Sequence, residues 1–254
     1  MKKDILSLSE EELGNEAFLK AQPGYRAKQI YDRLHTGRVT DFDEMTQLPL
    51  RIRQQLKDGY VIPTVKVYRE LVSKSDGTVK YAFELPDGNI IESVLTQYRH
   101  GMSLCVSTQV GCKMGCVFCA SGKDGLVRNL NPSEILGQVY KAEQLTSQTV
   151  QSVVLMGIGE PLDNYVNVTK FLELYGKHRS LRNVSLSTCG LIPKIYELAE
   201  LRLGLTLCIS LHASNDKARS EIMPINRVYS IHQLISAAKY YRERTSRRIT
   251  FEYA

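Results

Sequence analysis

The 254-residue sequence has no apolar run approaching the roughly 18 residues that a membrane-spanning helix requires. A secretory leader is not expected either. The start, Met1-Lys-Lys-Asp-Ile-Leu-Ser-Leu-Ser9, turns acidic at Glu10–Glu12 before an apolar region can develop. These two absences predict a cytoplasmic protein with no membrane association. No internal repeat or low-complexity stretch stands out, and no strong excess of one charge does either. With 33 Lys and Arg against 27 Asp and Glu, the net charge of +6 permits contact with RNA or phosphate without requiring it. Hydrophobic residues at 43% and charged residues at 24% are ordinary for a globular chain, long enough for one large domain or a large and a small one. Cysteine is scarce, yet four of the six lie between positions 105 and 119. In a reducing compartment that crowding points to metal or redox chemistry rather than to a disulfide framework.

The first sixty residues read as short helices. Ser9-Glu-Glu-Glu-Leu13 has the hydroxyl cap and acidic first turn of a helix start. Pro23-Gly24 punctuates the chain before a helix over Tyr25–Leu34, and a third is expected over Leu48–Leu56. This region carries Lys20, Arg26, Lys28, Arg33, Arg38, Arg51 and Arg53 with Tyr25 and Tyr31 interleaved, a pattern common to nucleic-acid surfaces and solvated helical faces. From Val61 to about Tyr98 the period changes. Val65–Leu71, Thr78–Leu85 and Asn89–Leu95 are β-rich, with hairpin turns at Ser75-Asp-Gly77 and Pro86-Asp-Gly88.

Beyond Gly101, strands and helices alternate. Strands are expected at Leu104–Ser107, Gln151–Met156, Val184–Ser187, Leu205–Leu211 and Arg248–Tyr253. Asn131-Pro-Ser-Glu134 opens a helix, with a cap, a proline at the first position and a box-like acid; further helices cover Val166–Tyr175, Ile192–Leu201 and Ile231–Arg244. This alternation implies parallel βα units and a barrel-like α/β sheet. The expected domains are 1–60 (helical, RNA-binding-like), 61–100 (a β-hairpin connector) and 101–254 (the α/β core). Ile249–Ala254 stops inside a strand with no closing helix, so the core is expected to be incomplete.

Cys112-Lys-Met-Gly-Cys116-Val-Phe-Cys119 has the spacing C-x3-C-x2-C, which chance produces about 0.003 times in such a chain. A structural zinc site wants four closed ligands, and no fourth Cys or His follows at finger spacing. Iron–sulfur clusters take thiolates, and three of them leave one iron open to a substrate or cofactor. Gly111 and Gly115 let the loop curl around a cluster. Gly157-Ile-Gly159-Glu160-Pro161 follows a strand but lacks the third glycine of a dinucleotide fingerprint. Alone it is a plain βα turn. Glycines at a strand's C-terminal end do, however, suit close approach of a ligand.

The cysteine spacing directly after a first strand resembles the signature of the radical S-adenosylmethionine (SAM) superfamily. Five segments sharpen the likeness, in order: Cys105-Val-Ser-Thr-Gln-Val-Gly-Cys112, Met156-Gly-Ile-Gly-Glu-Pro-Leu-Asp-Asn164, Leu186-Ser-Thr-Cys-Gly190, Ile209-Ser-Leu-His-Ala213 and Met223-Pro-Ile-Asn-Arg227. Together they resemble the radical-SAM adenine C2-methyltransferases of 23S ribosomal RNA and transfer RNA, over nearly the whole chain. The resemblance implies a partial (βα)6 radical-SAM barrel, C-terminally truncated, behind a small helical domain and a β-hairpin connector. It implies a [4Fe–4S] cluster on Cys112, Cys116 and Cys119, and SAM at Gly159, Glu160, Ser187, Ser210, Leu211 and His212. Glu92, in Ile90-Ile-Glu-Ser-Val94, matches the family's proton acceptor. Cys105 matches the cysteine that resolves a protein–RNA crosslink by forming a disulfide. Read alone, Glu92 is an exposed strand residue and Cys105 and Phe118 are packing residues. The implied partners are 23S rRNA, tRNA and a flavodoxin- or ferredoxin-type electron donor, with the chain acting as a monomer.

In that family SAM chelates the open iron, and an electron from the cluster cleaves it to a 5′-deoxyadenosyl radical. Adenine C2 is electron-poor, so a methyl is first placed on a cysteine, converted to a carbon radical and added to C2. A base then removes the C2 proton and a thiol releases the product. The methyl-accepting cysteine lies near the family's C-terminus. Neither Cys189 nor Cys208 occupies its position, and one SAM-contacting asparagine has no counterpart here. The 254-residue polypeptide is therefore expected to bind a cluster without methylating RNA. Competing readings are the sister enzyme that methylates adenine C8, a radical-SAM enzyme acting on protein or a small molecule, and a non-catalytic zinc or RNA-binding module.

Overall fold

Apolar residues alternate along strand segments such as 79–84 and 90–95, giving each one face to bury, and local turn chemistry sets where several elements begin. The structure, a computed structural model, describes residues 2–20 and 22–253. Met1 and Ala254, the outer limits of the sequence-derived domains, lie outside them. In the N-terminal segment β1 (Lys3–Asp4) is followed by α1 (Glu10–Gly14), α2 (Tyr25–His35), α3 (Leu50–Gly59) and β2 (Tyr60–Val61), and β1 pairs in parallel with β2. Ser9 caps α1 reciprocally: its Oγ accepts from Glu12 N–H, and the Glu12 carboxylate accepts from Ser9 N–H at 2.7 Å. α3 starts at Leu50 rather than Leu48 because Pro49 holds the cap position and disfavours helical geometry in the residue before it.

The remaining elements are β3 (Lys66–Val72), β4 (Val79–Glu84), β5 (Ile90–Tyr98), β6 (Gly101–Cys105), β7 (Gln109–Gly111), β8 (Leu126–Asn129), α4 (Pro132–Thr146), β9 (Val150–Leu155), α5 (Tyr165–Gly176), β10 (Val184–Thr188), α6 (Ile192–Glu200), β11 (Thr206–Ser210), α7 (Asp216–Ile222), α8 (Ile231–Thr245) and β12 (Ile249–Glu252). Eight strands form one mixed sheet in the order β12-β11-β10-β9-β6-β5-β4-β3. The first five in that order run parallel and the last four, sharing β6, antiparallel. Asn131, Pro132 and Glu134 open α4 with the expected box. The hairpin β7–β8 and the short helix α7 have no counterpart in the sequence reading.

Register separates the two faces of this sheet. Leu155, Leu186 and Leu207 share one row and are fully buried beneath the helices. The other face carries Cys105, Val154, Ser185 and Thr206 in one row, all half-buried. Small and polar side chains line that face. Such a surface leaves room for a ligand where large apolar residues would fill it.

The N-terminal helices share one continuous apolar core with the sheet and its helices. Polar ties reinforce the join: the Glu143 carboxylate of α4 takes Arg38 at 2.5 Å and both terminal nitrogens of Arg179, and Ser133 Oγ donates to Asp4 at 2.5 Å. His35 Nδ1 lies 2.9 Å from the Tyr140 hydroxyl. Burial first, and His178 second, lower the His35 pKa from 6.5 to about 4. The folded-state value lies below the unfolded one, so His35 contributes stability above pH 6.5 that is lost as pH falls toward 4. That difference corresponds to about 3 kcal/mol. Urea unfolding should show His35→Leu flattening the stability profile between pH 7 and 4 by this amount; parallel profiles for the two proteins would refute the assignment.

Candidate functional site

β6 delivers the chain to Val106–Gln109, and the hairpin β7–β8 carries the cysteine loop between its strands. The base of the loop is pinched. Cys112 N–H donates to Gly125 O at 2.9 Å, and Gly111 sits at φ +74°, where a Cβ would stand 2.0 Å from that same oxygen. Only glycine fits there. The far side of the loop is tied to α7 by Val117 N–H donating to Ile222 O at 3.0 Å, and Phe118 packs edge-on against His212, ring centroids 4.9 Å apart.

Cys112, Cys116 and Cys119 all line one cleft of about 310 Å³, in the size range of small-ligand sites. It lies beyond the C-terminal ends of β9, β10 and β11, the end at which ligands bind in parallel α/β sheets. Burial pushes the Cys116 thiol up to about 11, with Cys112, Cys119 and Glu160 as neighbouring charges, and also raises Cys112. Among the described residues no three Cys, His, Asp or Glu converge on a single metal ion. A cluster spreads its thiolates over separate corners, so three thiols around one cleft fit a cluster better than a mononuclear ion.

Glu160 enters the cleft from the loop after β9 and is 3% exposed. Leu162 N–H and Cys189 N–H donate to its two oxygens at 3.0 and 2.8 Å. Burial nonetheless raises its pKa, with these bonds opposing the shift. Gln109 and Asn164, fully and almost fully buried, hold this loop against the cysteine hairpin. Gln109 Oε1 accepts from Glu160 N–H at 2.9 Å while its amide donates to Asn129 and Asp163, both at 2.8 Å. Asn164 donates to Thr108 O and Leu130 O, also at 2.8 Å. Gly159, at φ +107°, permits the contact, since a Cβ there would lie 2.6 Å from Gln109 Cβ.

Gly159, Ser187, Ser210 and His212 line the same cleft, together with Glu252 from β12. Ser187 and Ser210 each donate to Glu252 Oε2 at 3.0 Å. His212 adopts φ +54° just after β11, and burial lowers its pKa. Leu211 is not in the lining; its N–H donates to Glu252 O at 3.0 Å.

Glu92 and Cys105 also stand outside the cleft lining. Glu92 is on β5 with its carboxylate 2.7 Å from Lys80 Nζ, and Cys105 ends β6 with a thiol raised by burial. The pairing Val94↔Cys105 puts both on the half-buried sheet face that carries Ser187 and Ser210. The disulfide expected at Cys105 finds no support: all six cysteines are free, and its cross-strand neighbours are Val94 and Val154.

Four residues escaped the sequence reading: Gln109, Asn164, Arg219 and Glu252. The first two lie inside quoted segments, and their burial is the missing signal. Arg219 stands on α7, an element the sequence reading did not anticipate, and is 1% exposed. It donates to Cys189 O at 2.7 Å, Ser210 O at 2.9 Å, Leu211 O at 3.1 Å and Asn226 Oδ1 at 3.0 Å.

Comparison with known proteins agrees with this geometry. Residues 106–253 match the Radical SAM superfamily, and residues 3–62 match the ribosomal RNA large subunit methyltransferase N-terminal domain. The chain is 48% identical to a probable dual-specificity RNA methyltransferase RlmN of Clostridium botulinum (strain Okra), covering 99% of this chain and 75% of that protein. It is 46% identical to the protein of the same description from Lachnoclostridium phytofermentans, with 99% and 72% covered. A crystal structure of a radical SAM methyltransferase from Sphaerobacter thermophilus superposes with a TM-score of 0.90 at 36% identity, covering 99% of this chain and 76% of that one. The chain belongs to the radical SAM superfamily, as an RNA methyltransferase of the RlmN type.

Proposed function

We propose that this protein takes part in methylation of adenine C2 in 23S rRNA and tRNA, with a [4Fe–4S] cluster on Cys112, Cys116 and Cys119 and SAM at Gly159, Glu160, Ser187, Ser210, Leu211 and His212. The observation that carries the reading is one cleft that gathers the three thiols with the Glu160 carboxylate, Ser187, Ser210 and His212 at the C-terminal ends of parallel strands. When bound, the cluster supplies single electrons and SAM supplies the methyl group and the radical precursor. Glu160 accepts from an ammonium group, and the backbone N–H groups of Leu162 and Cys189 hold its carboxylate in place. Phe118 and His212 close the loop over the cleft. Glu92 takes a proton, with Lys80 as its counter-ion, and Cys105 acts as the resolving thiol from the same sheet face.

Neither Cys189 nor Cys208 is placed as a methyl acceptor. Cys189 is 7% exposed and its thiol hydrogen-bonds to Glu160; Cys208 is 5% exposed. The proposal is therefore that the 254-residue polypeptide binds its cofactors without completing methylation. No described helix is long and apolar enough to cross a membrane, in keeping with a cytoplasmic site of action; a monomeric state and a flavodoxin- or ferredoxin-type donor complete the reading.

The test is nucleoside mass spectrometry of 23S rRNA and tRNA incubated anaerobically with SAM, a reductant and either this chain or a full-length relative. The relative should yield 2-methyladenosine and this chain none. An 8-methyl product would transfer the reading to the sister enzyme, and 2-methyladenosine from this chain would overturn its inactivity. RNA affinity that falls steeply with salt is expected; its absence would favour a non-RNA substrate.

A further inference from the structure

We infer that Glu252 is a specificity-determining residue of the cleft: by taking the hydroxyl protons of Ser187 and Ser210, it makes both serines acceptors for the ribose hydroxyls of a nucleoside ligand. The inference rests on the SAM reading and adds to it a residue that reading leaves without a role.

Glu252 closes the β12 side of the cleft. Its backbone is pinned there, since its carbonyl accepts from Leu211 N–H at 3.0 Å and His212 N–H at 3.1 Å. Both serine hydroxyls donate to the same oxygen, Oε2, at 3.0 Å, and the two Oγ atoms are 3.5 Å apart. A hydroxyl has one proton and two lone pairs. With that proton given to Glu252, each serine can offer only lone pairs to anything else in the cleft. Ser187, Ser210 and Glu252 thus form one acceptor surface spanning β10 to β12, and Glu160 provides a second acceptor on the β9 side.

A ligand complementary to this arrangement carries hydrogen-bond donors in two places. An ammonium suits Glu160, and a vicinal pair of hydroxyls suits the serine–carboxylate surface. Glu252→Met keeps the side-chain length and removes both acceptor oxygens, so each serine can turn its proton toward the cleft.

Equilibrium dialysis of the anaerobically reconstituted protein, with SAM and its 2′-deoxy and 3′-deoxy analogues as probes, tests this. Wild type should bind at least one deoxy analogue about three- to tenfold weaker than SAM, the range of a hydrogen bond between neutral groups. E252M should bind SAM about tenfold weaker than wild type and discriminate the analogues by less than about twofold, while keeping its iron and sulfide content. If E252M does not fold, the double variant Ser187→Ala/Ser210→Ala should show the same loss of discrimination. A wild type indifferent to the deoxy analogues, or variants that discriminate as wild type does, overturns the inference alone. A wild type that binds no SAM overturns the SAM reading and this inference with it.

Discussion

Replacing any one of Cys112, Cys116 or Cys119 with serine should abolish the brown iron–sulfur absorbance of anaerobically reconstituted protein. Iron and inorganic sulfide should fall from about four of each per chain to near zero. The three thiols line one cleft, and no other cysteine stands on their loop. A serine hydroxyl does not ionise near neutral pH as a metal-facing thiol does, and two remaining thiolates leave half of a cube without protein ligands. Cys189→Ser and Cys208→Ser are the matched controls. Cys189 shares the cleft, but its thiol is engaged by Glu160, and Cys208 lies on β11 opposite Ser187 and Thr250. Both should keep the colour. Full iron and sulfide in C116S would sink the cluster assignment, and zinc without sulfide in the wild type would replace it with a structural metal site.

Arg219→Ala should destabilise the fold by about 4 kcal/mol, read by urea unfolding at pH 7. The guanidinium is 1% exposed and satisfies three backbone carbonyls and one amide oxygen from the ends of β10, β11 and the turn after α7. Removing it leaves those acceptors buried, each at a cost of about 1–3 kcal/mol that water entering the cavity recovers only in part. Such a loss is large against a typical net stability of about 5–15 kcal/mol. Arg219→Lys should fall between, because an ammonium cannot reproduce the planar fork that reaches four acceptors. A change below about 1 kcal/mol in R219A would show that the network is dispensable. Two of those carbonyls belong to Cys189 and Ser210, which flank the cleft, so R219A should also weaken SAM binding at temperatures where it remains folded.

The relation between sequence and site follows from the range of the interactions involved. Ser9 and Glu12, Asn131 and Glu134, and the turns at Gly77 and Gly88 act within a few residues, and each stands in the structure where local chemistry puts it. The spacing of Cys112, Cys116 and Cys119 is equally local, and so is the meaning of three thiols within eight residues. By contrast, β1 pairs with β2 across most of the N-terminal segment, and β7–β8 closes over a loop whose apolar pattern is too short to show a period.

Gln109, Arg219 and Glu252 are polar residues on short elements, and nothing next to them in the chain distinguishes buried from solvated. Their roles come from partners 20 to 54, 7 to 30 and 42 to 65 positions away. The sequence by itself determined the alternation of strands and helices in the core, the helix starts at Ser9 and Asn131 and the thiol spacing, because those depend on neighbours within a turn or two. Only the tertiary structure decided that Glu160 meets the cysteine loop through Gln109, that Glu92 and Cys105 lie beside the cleft instead of in it, and that Glu252 holds two serines. Those outcomes depend on strand register, and register is a property of the whole sheet.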